Sequence, residues 1–365
     1  MDAEGKKGVN ALLKEGAREG VYPGAVLLVA RKGKIVFFEV TGNRELIPNI
    51  APAKKDTIFD LASLTKPLAT TLAIMKLVDQ EALALDKPVT DLLPKRLPKE
   101  KEGITTRLLL CHSAGFIDWK PLYLELERFE PEKRKAFLRA HLLEFPLSYQ
   151  PGKGVLYSDL GFMMLEWIVE HRAGMAMARF LDRYFYGPLS LQRILFSSDD
   201  MLKSFSRDQF AATEDCPWRK EIVVGRVHDE NAHMLGGYSG HAGLFGAAEE
   251  VYMLVNLLRQ HYRGEREDYF NPETVRTFFT RQDIVKGSTW ALGWDMPSPQ
   301  DSSAGRYFSP NSVGHLGFTG TSIWMDFERD VIVIFLTNRI HPTRNNEKIK
   351  AFRPGLHDVI MEELA

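Results

Sequence analysis

The sequence predicts a mixed α/β protein with a central antiparallel sheet assembled from both chain ends, flanked by helices and interrupted by a mostly helical insertion. Three observations lead there. Apolar runs of strand character come in pairs near the N-terminus and again near the C-terminus. Between them, apolar residues recur at helical spacing in segments separated by Pro- and Gly-containing loops. A chain of 365 residues with 44% hydrophobic composition is also long enough to bury a large core.

Val9, Leu12, Leu13 and Ala17 share one face of a helix. Val26 to Ala30 and Ile35 to Val40 then form a β-hairpin around Arg31-Lys32-Gly33-Lys34. Helical patterns follow at Thr65 to Gln80, Lys133 to Leu143, Leu160 to His171 and Met175 to Tyr184. Thr321 to Asp326 and Val331 to Thr337 are strands flanking the charged turn Phe327 to Asp330. Asn346 to Leu364 has helical composition, and Pro354 is expected to interrupt it. The predicted division is a discontinuous sheet domain, 1–85 with 240–365, and a helical inserted domain, 86–239, without internal repeats.

A formal net charge of -1 and a pI of about 6.8 leave no basic excess to track a phosphate backbone or an anionic membrane. Nucleic acid and membrane are therefore not expected as partners. Met1 to Lys14 is charged throughout, and no apolar run is long enough to span a bilayer. The expected compartment is the cytoplasm, or the periplasm if a leader has been removed. Cys111 and Cys216 allow at most one bridge and are read as reduced, buried thiols.

Ser63-Leu64-Thr65-Lys66 is the only Ser-x-x-Lys in the chain, and it opens the segment carrying Leu68, Leu72, Met75 and Leu77. Residues three apart on a helix share a face. Pro67 places this stretch in a first turn, where a missing N–H costs nothing. Ser63 then meets orphan backbone N–H groups and the positive end of the helix dipole, both suited to a developing oxyanion. Lys66 can take the serine proton only when neutral, which requires its pKa of about 10.4 to fall by roughly 3 units in a closed cleft. The competing structural reading makes Ser63 a helix cap and Lys66 a solvated side chain.

Two further elements add weight. Tyr157-Ser158-Asp159 follows Pro151-Gly152 and sets a phenol and a carboxylate at a loop tip before the helix from Leu160, although Asp159 would also serve as that helix's cap. Gly314-His315-Leu316-Gly317-Phe318-Thr319-Gly320 precedes a strand, and its glycines permit close approach to backbone or suit an ordinary turn.

In this order the three elements resemble the active-site-serine superfamily of penicillin-binding proteins, class C β-lactamases, DD-peptidases and related esterases. Phe59-Asp60-Leu61-Ala62, Leu109 to Phe116, Gly240 to Phe245 and Leu292-Gly293-Trp294 extend the resemblance over nearly the whole chain. It implies a β-lactamase/transpeptidase-like fold and a serine hydrolase working through an acyl-enzyme. Ser63 would be the nucleophile, with Lys66 and Tyr157 sharing its proton. Backbone N–H groups of Ser63 and Phe318 would form the oxyanion hole, and Asp159, His315 and Gly317 would bind substrate. The implied partner is a small-molecule acyl substrate, an ester, amide or D-amino-acid peptide, with no cofactor and no metal. A non-catalytic ligand-binding or sensor module of the same fold is the alternative. The oligomeric state is left open.

Two departures from the family pattern matter. Asp159 stands where many relatives carry asparagine, and a carboxylate near Lys66 favours its charged form. His315 stands where many carry lysine, and a neutral imidazole is poorly suited to hold a substrate carboxylate, so weak turnover of penicillins is expected. Other motifs fall short. The cluster His228, Asp229, His233 and His241 lacks the His-Glu-x-x-His spacing of a helical metal site. Gly236 to His241 misses the nucleophile elbow at its last position, and Gly314 to Gly320 lacks the strand-then-helix setting of a dinucleotide loop. Adjacent Cys111 and His112 would point apart on a helix.

Overall fold

The computed structural model describes residues 1–197 and 204–364. Its main sheet is antiparallel with six strands, in the order Ala51–Pro52, Lys34–Glu45, Gly24–Arg31, Val331–Thr337, Ser322–Asp326, Val313–Leu316. Both chain ends build it, and they meet where Gly24–Arg31 pairs with Val331–Thr337 in the register Val26↔Leu336, Leu28↔Ile334, Ala30↔Ile332. Side chains alternate across a strand. Val26, Leu28, Ile332 and Ile334 therefore face the helical region, whereas Leu27, Val29, Val333 and Phe335 face the terminal helices. Burial on both faces explains why these strands read as unbroken apolar runs.

Helix Ala3–Arg18, capped by Asp2 at Glu4 N and Gly5 N, covers the outer face together with helix Ile349–Glu362. Pro354 lies inside that last helix and does not interrupt it, contrary to expectation. A proline removes one backbone hydrogen bond, and here the anchoring of Leu356, Ile360 and Met361 in the outer core outweighs the loss. On the inner face a single apolar cluster runs from the sheet into helix Asp159–Ala173, whose residues Leu160 to Val169 are all buried.

The middle of the chain also contains strands that periodicity did not reveal. Ile194–Phe196 and Phe59–Asp60 both pair with Leu244–Gly246, and Ala212–Cys216 pairs with Glu221–Val224. Ile194–Phe196, Phe59–Asp60 and Leu244–Gly246 are too short for a period of two to register. The first of these small sheets delivers the chain to Ser63. Cys111 and Cys216 are buried free thiols, and burial pushes the Cys111 thiol up to about 12. Among the described residues, no helix is long and apolar enough to cross a membrane.

Candidate active site

Ser63 sits in the tight turn Ala62–Leu64, directly after strand Phe59–Asp60. Ala62 holds a φ of 47°, a left-handed conformation costing roughly 1–2 kcal/mol for a residue with a Cβ. Surrounding bonds impose it. Asp60 accepts from Ala62 N at 2.9 Å and from His228 N at 2.7 Å, and Leu61 N donates to Leu244 O at 2.9 Å. Thr65 Oγ1 donates to Ala62 O and accepts from Leu244 N. A wide π turn, Lys66–Thr71, with Pro67 in its first positions, then leads into helix Leu72–Asp79. The expected single helix over Thr65 to Gln80 is thus present with an expanded first part, a feature that recurs at functional sites.

Lys66 is completely buried, and its Nζ lies 3.0 Å from Ser63 Oγ, 3.2 Å from His241 O and 2.7 Å from Asp159 Oδ1. Burial alone lowers an amine's pKa, but the Asp159 carboxylate and Tyr157 outweigh it and hold Lys66 above its ordinary value. The Tyr157 phenol engages both Lys66 and Ser63. Burial raises it, Asp159 adds to that, and the Lys66 ammonium opposes without cancelling the rise. The resting site therefore holds an ammonium and a neutral phenol beside the serine.

The edge strand Val313–Leu316 and the loop behind it close the other side. Thr319 Oγ1 donates to Asp60 O at 2.7 Å and Thr321 Oγ1 to Leu61 O at 3.2 Å, clamping this loop onto the segment before Ser63. Gly317 permits the approach, because a Cβ there would stand 2.7 Å from Leu61 O and 2.1 Å from Thr321 Oγ1. A cleft of about 370 Å³ results, with Ser63, Tyr157, His315, Gly317 and Phe318 on its wall.

The chain matches the Beta-lactamase family over residues 9–353. It belongs to the β-lactamase family. An N-acetylmuramyl-L-alanine amidase of Bacillus subtilis (strain 168) is 31% identical over 348 residues, 88% of this chain and 78% of the relative. A protein of Escherichia coli (strain K12), provisionally named D-alanyl-D-alanine carboxypeptidase, is 31% identical over 355 residues, 88% and 79% of the two chains. Solved structures agree on the β-lactamase/transpeptidase fold. EstCE1, a hydrolase with promiscuous acyltransferase activity, superposes with a TM-score of 0.71 at 24% identity, covering 96% of this chain and 98% of its own. The octameric penicillin-binding protein homologue from Pyrococcus abyssi gives 0.71 at 21% identity, covering 96% and 76%. The chain is accordingly an enzyme of the serine hydrolase class.

Within this β-lactamase-family site, Ser63, Tyr157, His315, Gly317 and Phe318 line the cleft, Lys66 lies 3.0 Å from Ser63 Oγ and Asp159 2.7 Å from Lys66, yet two details differ from expectation. The Lys66 amine is raised instead of lowered, since Asp159 faces it directly. Asp159 is not the cap of its helix: Ser158 Oγ accepts from Gly161 N, leaving the Asp159 carboxylate free for Lys66. His315 is neutral as expected, pushed down to about 3 by burial and by Lys66. Its Nδ1 donates to Leu316 O at 2.8 Å, so Nε2 carries the lone pair. Three cationic side chains, Arg339, Lys350 and Arg353, line the same cleft.

Sequence reasoning missed those three and two aromatic supports. His112 Nδ1 accepts from Ser158 N at 2.9 Å, and its ring packs 4.5 Å from Tyr157 and 4.4 Å from Trp290, fixing the Tyr157 loop from behind. Trp290 also lines the cleft. Lys350 and Arg353 share helix Ile349–Glu362, and Arg339, His112 and Trp290 come from other parts of the chain, so no motif near Ser63 points to them.

Proposed function

We propose that Ser63 attacks the carbonyl of a peptide or amide ending in a carboxylate, forming an acyl-enzyme that water releases. The observation that carries this reading is the convergence of Ser63, Lys66 and Tyr157 at one cleft that Arg339 and Arg353 also line. Arg353 is buried, donates to Gly320 O at 2.9 Å, and is pushed down to about 10 by burial and by Arg339, so it remains a cation at neutral pH. Both arginines donate to backbone carbonyls, Arg339 Nε to Phe318 O at 2.8 Å, and their positive charge suits an anionic group brought by the substrate. The names of the relatives, an amidase and a D-alanyl-D-alanine carboxypeptidase, support an amide substrate of this type.

In this mechanism one proton leaves the Lys66–Tyr157 pair before attack, and the pair then accepts the Ser63 proton and returns it to the leaving nitrogen through Tyr157. Backbone N–H groups of Ser63 and Phe318 receive the oxyanion, each contributing about 3 kcal/mol in the transition state. Asp159 holds Lys66, His315 offers an acceptor nitrogen, and Gly317 keeps the strand edge close to the serine. Because the proton held by Lys66 and Tyr157 must be lost first, acylation speeds up as pH rises.

The test is labelling by a fluorescent penicillin, followed by turnover of D-alanyl peptides, p-nitrophenyl esters and a chromogenic cephalosporin. The wild type should be labelled and should favour the peptides, while Ser63→Ala should take up no label. Undiminished labelling of that variant would end the assignment. Preference for neutral esters would favour an esterase, to which the apolar wall of Trp290, Leu316, Phe318 and Ile349 is also suited.

A further inference from the structure

The His228 to His241 region contains a group with no part in the steps above. Asp229 caps helix Glu230–Met234, and its Oδ1 accepts from Ala232 N at 2.7 Å. The same oxygen lies 3.0 Å from His241 Nε2. An ionised carboxylate only accepts, so Nε2 carries a proton. The His241 side chain is buried, and its backbone carbonyl is the one that receives the Lys66 ammonium at 3.2 Å. Donor atoms of Asp159, Asp229 and His241 all lie within 4.8 Å of one another. Lys66 Nζ already pairs with Asp159 Oδ1, at 2.7 Å.

We propose that His241, held by Asp229, is a positioning residue that acts as a second counter-charge to Asp159 and so limits how tightly Asp159 holds the proton on Lys66. This rests on the reading of Ser63 as the acylated nucleophile. The groups facing the imidazole are Asp229 from the cap of its short helix, Asp159 from the start of helix Asp159–Ala173, and Lys66 from the turn after Ser63. His228 faces Asp229 as well. Burial disfavours the imidazolium, but the two carboxylates outweigh burial and raise the His241 pKa. In this proposal the array alternates Lys66 ammonium, Asp159 carboxylate, His241 imidazolium and Asp229 carboxylate, the donor atoms of the last three lying within 4.8 Å of one another. In a water-poor site each neighbour shifts the proton affinity of the next. A family pattern with asparagine in place of Asp159 has no such anion to offset; here the aspartate and the imidazolium compensate one another.

The experiment is the pH dependence of the labelling rate, measured with a fluorescent penicillin on the full chain. His241→Asn removes the imidazolium and leaves Asp229 uncompensated, so the alkaline limb should move upward by about one pH unit or more, as expected for the loss of a unit charge within ~4–6 Å. The double variant Asp229→Asn/His241→Asn removes both charges, and its limb should return most of the way toward the wild type. A merely structural role would slow labelling without moving the alkaline limb, and that outcome overturns the proposal. So would loss of labelling on treatment with a chelator with recovery on adding zinc, since the carboxylates would then serve a metal ion. Should the wild type itself take up no label at Ser63, the acyl-enzyme reading fails instead, and the two failures are thereby distinguished. If His241→Asn does not fold, His241→Gln, also neutral and able to donate to Asp229, supplies the measurement: its limb should move upward in the same way, and an unmoved limb counts against the proposal.

Discussion

Replacing Asp159 by asparagine isolates the feature that most separates this site from its family pattern. The carboxylate stands 2.7 Å from Lys66 Nζ, and it is the largest influence raising that amine against its complete burial. Removing an opposite charge at this range lowers a pKa by about 1–3 units, and each unit is worth about 1.36 kcal/mol. At a fixed pH below the midpoint, the neutral fraction should grow roughly ten-fold per unit. Acylation measured by stopped-flow labelling should therefore have its alkaline limb displaced toward acid by about 1–3 pH units in Asp159→Asn.

Stability supplies a second readout of the same change. In the wild type the Lys66 pKa is raised, so its contribution is fully present below the unfolded value of about 10.4 and is lost as pH climbs through the higher folded value. In Asp159→Asn the buried ammonium lacks its carboxylate, at a cost of about 3–5 kcal/mol if it stays charged. Once its folded pKa lies below 10.4, the unfolded chain binds more protons, and urea denaturation should show stability rising with pH. A labelling limb that stays in place or moves toward alkali would refute the account of Lys66.

Three other outcomes follow from the geometry. Arg353→Met should lower kcat/KM for a D-alanyl peptide by about 10–100-fold, the worth of a charge-assisted hydrogen bond of about 1.5–3 kcal/mol, and leave hydrolysis of a neutral p-nitrophenyl ester unchanged; equal losses on both would remove the carboxylate from the proposal. Gly317→Ala forces a methyl to within 2.7 Å of the backbone oxygen of Leu61. Because that oxygen cannot swing away, urea melts should show a loss of about 1–3 kcal/mol, accompanied by slower labelling. For Glu214, burial by itself would raise the carboxyl, but His228 at 3.0 Å and Arg344 at 2.7 Å hold it down from 4.5 to about 2. The stability it contributes is present above the unfolded value and disappears as pH falls toward 2, about 3 kcal/mol in size; Glu214→Gln should flatten that part of an acid titration followed by circular dichroism.

How much was legible beforehand depended on the range over which each signal acts. The hairpin Gly24–Arg31 with Lys34–Glu45, the pair Ser322–Asp326 with Val331–Thr337 and helix Asp159–Ala173 were visible because burial of a whole face imposes a period on consecutive residues. Pro354 misled because a local rule was applied to a helix whose outer-core contacts override it. The three short strands Phe59–Asp60, Leu244–Gly246 and Ile194–Phe196 escaped because two or three residues carry no period, yet they lead into the strained turn at Ala62.

By itself the sequence determined the family, the fold class and the neighbourhood of Ser63, Lys66 and Tyr157, since the serine, the lysine one turn on and the glycine-flanked strand edge are local patterns. Only the tertiary structure decided the charge state of the site. Asp159 meeting Lys66 at 2.7 Å, His241 joining Asp229, and Arg339 with Arg353 reaching the cleft of Ser63 are contacts between separate elements. Electrostatic energy depends on distances in space and on the water excluded between charges, and neither is written in the spacing of residues.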